Sequence, residues 1–245
     1  MLLTRFSAPL VEGRLIRRYK RFLSDVQLVT GETVTAHCAN PGSMLGLADP
    51  GARVWLSHSD NPKRKLAYSW ELIEVDLGRG ATLAGINTSS PNGAVAAAIQ
   101  KGLIPELSGY ASLRREVRYG GNSRIDILLE DQARPPCYVE IKNVHLMREA
   151  GLAEFPDSVT ARGAKHLAAL SEMVAAGARA VMVYFVQRGD ADAFALAEDI
   201  DPAYAAAFRA AAASGVEALA LVSSLSLEGL SLPRPIPLRP PARPA

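Results

Sequence analysis

A chain of 245 residues, 49% hydrophobic and 21% charged, has the composition of a globular protein with core enough for one large unit or two modest ones. Cys38 and Cys137 show no CxxC spacing, which argues against a disulfide scaffold or a thiolate metal site and suits a reducing cytoplasm; no leader or bilayer-spanning run is legible, so neither export nor a membrane partner is expected. The net charge of +2 hides an asymmetry, with 11 Lys/Arg against 8 Asp/Glu over residues 1–90 and 16 against 17 beyond.

The first 87 residues contain no convincing long helix. They read as short strands at Val11–Leu23, Asp25–Val29, Thr33–Cys38, Arg53–His58, Ala67–Val75 and Thr82–Ile86, cut by Thr30-Gly31, Asn40-Pro-Gly42, Asp49-Pro-Gly51 and Gly78–Gly80. A curved barrel of roughly five strands fits this spacing, and the oligonucleotide-binding (OB) barrel is one such form. Arg14, Arg17, Arg18, Lys20 and Arg21 crowd one segment, where they can attract phosphate or guard a strand edge against aggregation. In Asn40-Pro-Gly-Ser-Met44, the Asn40 and Ser43 side chains and the backbone amides can meet an anion, although a structural turn explains the same residues.

The chain then changes character. Pro91-Asn92 opens a helix through Val95 and Ile99 to Gly102, with Asn92 as its expected cap. Residues 124–130 and 137–143 alternate apolar and polar, and the segment Asp131–Pro136 between them is turn chemistry. Paired as a hairpin with residue 130 facing 136, the two strands set Asp126 opposite Glu140, while Glu140 and Lys142 share a face. Opposed Cβ atoms lie roughly 4.5–5.5 Å apart. Two carboxylates that close repel unless a cation lies between them, and hard oxygen ligands suit Mg2+ or Mn2+. This is the pattern of a metal-dependent phosphodiesterase site; a solvated hairpin face over an apolar one (Ile125, Ile127, Leu129, Val139, Ile141) would alternate in the same way.

Beyond Phe155-Pro-Asp157 a helix is expected from about residue 158 to 176, closed by Gly177, with Leu167, Leu170 and Val174 as its apolar stripe. Arg162, Lys165 and His166 fall on another face near its start, where they can contact phosphate or simply be solvated. Ala180–Val186 reads as a buried strand, Asp201-Pro202 as the cap and first turn of an Ala-rich helix ending near Gly215, and Val216–Val222 as a last strand. Hairpin, helix, strand, helix, strand describes an α/β sheet with helices packed on it. The expected division is a barrel over 1–87, an α/β unit over 88–232, and an extended tail over 233–245, which holds six prolines. His37, His58 and His145 are too isolated to form a ligand set and are read as structural.

Asp126, Glu140 and Lys142 match the D…(D/E)xK arrangement of restriction-endonuclease-like nucleases. With Asn40–Met44, Pro91-Asn92, Glu116–Gly120, Ser123–Asp126, Glu140–Val144, Phe155–Asp157 and Arg162–Leu167, the chain resembles the sugar fermentation stimulation protein family. It departs at Ala39, where a proline is expected, and from the wider nuclease pattern at Ile125. The resemblance implies an α+β architecture: an OB-like barrel, then a nuclease-like domain with a mixed sheet flanked by helices. It further implies DNA, double- or single-stranded, as partner, and a link to regulation of sugar use. On this reading Asp126, Glu140 and the Ile141 carbonyl hold Mg2+ or Mn2+, and Lys142 orients the attacking water. Glu116 matches an extra acidic residue of such sites, or else partners Arg114, Arg115 or Arg118. Arg14, Arg17, Arg18, Lys20, Asn40, Ser43, Arg124, Arg162, Lys165 and His166 are the candidate DNA contacts. Two functions stay open: a metal-dependent DNA nuclease, or a non-catalytic DNA-binding regulator that uses the nuclease fold as scaffold. The sequence does not speak to oligomeric state.

Overall fold

The computed structural model describes residues 1–119 and 123–239, so Gly120 and the end of the proline-rich segment lie outside the described residues. The chain opens with β1 (Leu2–Arg5), then β2 (Val11–Tyr19), β3 (Leu23–Leu28), β4 (Thr33–His37), β5 (Arg53–His58), β6 (Tyr68–Val75) and β7 (Thr82–Gly85). Strands β2 to β6 form a closed five-stranded OB barrel. β2 pairs antiparallel with β3 and β5, β3 with β4 and β5 with β6, and a parallel β4–β6 contact seals the ring. Register shifts at Leu15/Arg17 and Trp55/Leu56 supply the curvature that closure needs. Leu15, Val26, Val54, Leu56, Trp70 and Ile73 fill the interior. The run expected as one strand from Val11 to Leu23 is instead a hairpin. It breaks at Lys20 and Arg21, both with left-handed backbone (φ 46° and 65°), and the chain reverses there.

The second unit follows as α1 (Ser90–Gln100), β8 (Ser112–Tyr119), β9 (Ser123–Glu130), β10 (Cys137–Val144), β11 (Leu146–Glu149) and β12 (Leu152–Phe155). Then come α2 (Ala161–Ala175), β13 (Arg179–Val186), β14 (Ala193–Leu196), α3 (Pro202–Ala213), β15 (Glu217–Val222), β16 (Leu225–Ser226), β17 (Gly229–Ser231) and β18 (Arg234–Ile236). Its main sheet is mixed, in the order β18-β15-β13-β10-β9-β8, with β10, β13 and β15 parallel. The apolar run of β13 is buried along almost its whole length because helices cover both faces of the sheet. Val95 and Ile99 of α1 pack on Ile127, Val139, Val181 and Val183; Leu167 and Leu170 of α2 and Tyr204 of α3 pack on Leu128, Met182 and Tyr184.

Three expectations change. Neither face of the β9–β10 hairpin is an ordinary wet face, since Leu128 is as buried as Ile127; and Ile125 joins the α2-side core, opposite Ile127, because the strand alternation is interrupted between them. Part of the segment expected as a tail is β18, paired antiparallel to β15. β1 is not part of the barrel: it pairs with β17, and Leu3 is buried in the α1-side core.

The two units are joined tightly. Gly85 N–H donates to the Gln187 carbonyl (2.8 Å), and Gln187 Nε2 donates to the Asn87 carbonyl (3.1 Å). The Asn40–Met44 loop does meet an anion, and that anion belongs to the protein. Met44 N–H donates to Asp157 Oδ2 (3.1 Å), and Ser43 Oγ donates to the Asp157 carbonyl (2.5 Å). Gly42 is needed there, because a Cβ would lie 2.2 Å from Asp157 Oδ2. Burial opposes ionisation of Asp157, but His145, the Met44 amide and the Ser158 hydroxyl outweigh it and bring the carboxyl to about 2.

Candidate metal and nucleic-acid cleft

Register sets three carboxylates in a row across the sheet. Val139 pairs with Ile127, placing Glu140 level with Asp126; Arg115 pairs with Ile127 and Val117 with Ile125, placing Glu116 level with Asp126 on its other side. Glu116 has φ 55°, a costly conformation for a residue with a Cβ, in the middle of β8.

The pairs around these carboxylates are specific. Asp126 Oδ2 accepts from Ile141 N–H (2.7 Å) and Oδ1 from Asn92 Nδ2 (2.8 Å), with the same amide 3.5 Å from Glu116 Oε1. Burial, then repulsion from Glu140, raises the Asp126 carboxyl to about 6 despite those donors. Glu140 is 2% exposed. Its Oε1 receives Lys142 Nζ (2.8 Å) and the Nδ1 of His166. Burial would raise this carboxyl, but His166 and Lys142 hold it below its ordinary value. Since Arg162 Nε donates to His166 Nε2 (3.2 Å), the imidazole proton sits on Nδ1, facing Glu140. Among the described residues Glu140 Oε2, which is buried, has no hydrogen-bond partner.

That orphaned oxygen, one strand from a carboxylate whose burial disfavours its charge, fits a hard divalent cation. Among the described residues no group of three His, Cys, Asp or Glu side chains is set to hold a metal, so the side-chain ligands would be the two carboxylates of Asp126 and Glu140, with the expected Ile141 carbonyl, water and substrate oxygens to complete the set.

The row lines a cleft of ≈ 620 Å3 whose walls include Arg124 and Ile141 of the sheet, Thr88 and Asn92 at the start of α1, and Arg162, Lys165 and His166 of α2. The last three lie one helical turn apart because α2 is fixed at its start: Thr160 Oγ1 accepts from Gly163 N–H (3.1 Å), and Asp201 Oδ2 accepts from Thr160 N–H (2.7 Å). Asp201 also caps α3 by accepting from Tyr204 N–H (2.9 Å), as its place before Pro202 predicts.

The barrel candidates fare differently. Asn40 is fully buried, its amide spanning the Ile86 carbonyl (3.1 Å) and Gly42 N–H (2.9 Å), so its side-chain polar atoms are committed within the protein and away from the carboxylate cleft. Arg18 donates to the carbonyls of Arg21, Asn40, Gly42 and Ser43 and thereby holds the docking loop, where Ser43 is also engaged. Arg17 pairs with Asp25 (2.8 Å) and Arg14 donates to the Gly51 carbonyl (3.0 Å), while Lys20 lies exposed on the β2–β3 turn. None of these residues lines the carboxylate cleft. Arg114 pairs with Glu130 rather than Glu116. His145 is structural, buried between Asn143 and Asp157.

Asn92, expected as the cap of α1, belongs to the site instead. The α1 cap position is Ser89, so Asn92 lies inside the first turn and is free to hold Asp126. The signal was present, since Pro91 favours the first helical turn and so pushes the cap upstream.

The SfsA N-terminal OB domain profile matches residues 16–86, and that of the sugar fermentation stimulation protein RE domain matches 89–229. A sugar fermentation stimulation protein homolog of Azorhizobium caulinodans is 58% identical over 96% of this chain and 99% of its own; one of Rhodospirillum centenum is 59% identical over the same shares. A solved structure described as that of Pyrococcus furiosus SfsA in complex with Ca2+ is similar with a TM-score of 0.86 and 29% identity, over 98% of this chain and 100% of that one. Among the described residues no helix is long and apolar enough to cross a membrane.

Proposed function

Because this chain belongs to the sugar fermentation stimulation protein family, we propose that it binds DNA and hydrolyses its phosphodiester bonds at the carboxylate cleft, with Mg2+ or Mn2+ held by Asp126 and Glu140. The observation that carries this reading is the buried Glu140 Oε2, unpartnered among the described residues, beside a carboxylate of raised pKa. A relative of the same fold described in complex with Ca2+, another oxygen-seeking cation, supports it.

Bound there, the metal would lower the pKa of a water and offset charge on the phosphoryl oxygens. The protein does the rest. Asn92 and the Ile141 amide orient Asp126, and Lys142 and His166 hold one Glu140 oxygen so that the other faces a fixed direction. The Lys142 ammonium, mostly buried beside that carboxylate, is the group to orient the attacking water. Arg124, Arg162 and Lys165, on the walls of the cleft, take the phosphates on either side of the scissile bond.

A second reading, a DNA-binding regulator of sugar catabolism that does not cut, draws on the Lys142–Glu140 ion pair, which satisfies the ammonium within the protein. Incubation of single-stranded, duplex and branched DNA with Mg2+ or Mn2+ separates them. The nuclease reading expects metal-dependent cleavage; DNA bound but uncut with either metal leaves the regulator.

A further inference from the structure

A second recess of ≈ 500 Å3 opens between the barrel and the α/β unit and shares two wall residues, Thr88 and Arg162, with the carboxylate cleft. We infer that it receives an unpaired nucleotide of the strand bound at the carboxylates, so that the substrate is nucleic acid single-stranded on at least one side of the scissile bond. This rests on the reading of the carboxylate cleft as the place where a strand is bound and cut.

Three observations carry it. The first is continuity: a strand lying on Arg162 at the metal site has the recess next along its path. The second is charge. The recess carries Arg21 and Arg162, and the one acidic residue lining it among the described residues, Asp157, is taken up by His145, Met44 and Ser158. Arg21 makes no ion pair among the described residues, and its left-handed backbone at the β2–β3 turn sets it on the rim. The third is shape and surface. The volume lies in the roughly 300–1,000 Å3 range of recesses that take a ligand of nucleotide size. One wall is Phe155, half-buried and packed against Tyr184 and Tyr204, while Phe22, outside the recess but next to Arg21 and stacked with His37, is 43% exposed. Aromatic faces beside cations form the surface on which unpaired bases stack, whatever their identity. A base pair carrying two backbones does not fit a recess of this size, whereas one unpaired nucleotide does.

The test uses the full chain without metal. Fluorescence anisotropy would follow short labelled oligo(dT), oligo(rU) and a blunt DNA hairpin duplex, with wild type, Ala161→Trp and Arg21→Glu. Ala161 is exposed at the first turn of α2 and lines the recess, so tryptophan fills the space without entering the core. The inference expects Ala161→Trp to weaken oligo(dT), oligo(rU) or both by roughly tenfold, the worth of about one stacked base, with the duplex affinity unchanged. Arg21→Glu should weaken the same single strands and make their binding less dependent on salt. Single-strand affinity unchanged in both variants overturns the inference, as does an equal loss for single strand and duplex. The two readings fail separately. A protein that shows this selective loss but cuts nothing with Mn2+ keeps the recess and loses the nuclease; one that cuts single strands equally well as wild type and as Ala161→Trp keeps the nuclease and loses the recess.

Discussion

Neutralising Asp126 should make the metal-free protein more stable at pH 8. The Asp126 carboxyl is raised to about 6 by burial and by Glu140, against about 3.9 in an unfolded chain. A raised carboxyl contributes stability that is fully present below the unfolded value and is lost as the pH rises through the folded one. The gap of about two units corresponds to roughly 2–3 kcal/mol, forfeited by metal-free wild type between about pH 4 and pH 7. Asn is isosteric and keeps an oxygen for Ile141 N–H, while Asn92 can turn its amide to present an acceptor instead of a donor. Asp126→Asn should therefore exceed wild type by about that amount in urea unfolding at pH 8 in EDTA, and the difference should vanish near pH 4. Millimolar Mn2+ should reverse the order, because only wild type has the paired carboxylates to hold it. If Asp126→Asn is less stable than wild type at pH 8 in EDTA, the carboxylates do not repel one another as argued, and the case for a cation between them falls.

Lys142→Ala should leave DNA affinity near that of wild type and remove most cleavage, about 10²–10⁴ in rate at matched metal concentration, with equal cutting by the two proteins counting against the assigned role. Lys165→Ala should make the plot of log affinity against log salt shallower by roughly 0.7–0.9, whereas Arg18→Ala should lower the melting temperature through its lost carbonyl contacts; the opposite assignment would return the phosphate contacts to the barrel. Asp157, depressed to about 2 in the folded protein, contributes stability above the unfolded pKa that is lost as the pH falls through the folded one. Unfolding of wild type should thus lose roughly 2–3 kcal/mol between about pH 5 and pH 2, and Asp157→Asn should lack that part of the slope.

The parts of the site legible in the sequence are those fixed by local geometry. The turn between residues 130 and 137 and the alternation on either side were enough to set Asp126 against Glu140, and the observed ladder has that register. Strand and turn spacing pointed to a five-stranded barrel and element order to a helix-packed sheet, while the resemblance implied that the sheet is mixed. The rest depends on contacts between segments distant in the chain. Arg18 resembles a phosphate-binding cation until the docking loop folds back onto it, and Asn40 resembles a ligand contact until the Ile86 carbonyl takes its amide. The Ile125 side chain changes face where the strand passes Asp126, which strict alternation does not show. β18 is a three-residue strand containing proline, tolerated because it lies at a sheet edge, so composition alone reads it as tail.

The pairing of β1 with β17 bears on how the chain assembles. Leu2 to Arg5 find their partners in Gly229–Ser231, and Phe6 N–H donates to the Glu228 carbonyl (2.9 Å). The fit admits only glycine at 229, where a Cβ would lie 2.0 Å from the Thr4 carbonyl oxygen. Topologically the barrel is therefore an insertion within the α/β unit, anchored at both its ends in the same body. On the ribosome it can close as soon as β6 has emerged, while β1 waits for its strand partner until residues more than two hundred positions downstream arrive. The unit that carries the carboxylates is thus the last to become complete, and its folding, which ends on a contact of such long range, is expected to be the slow step of maturation.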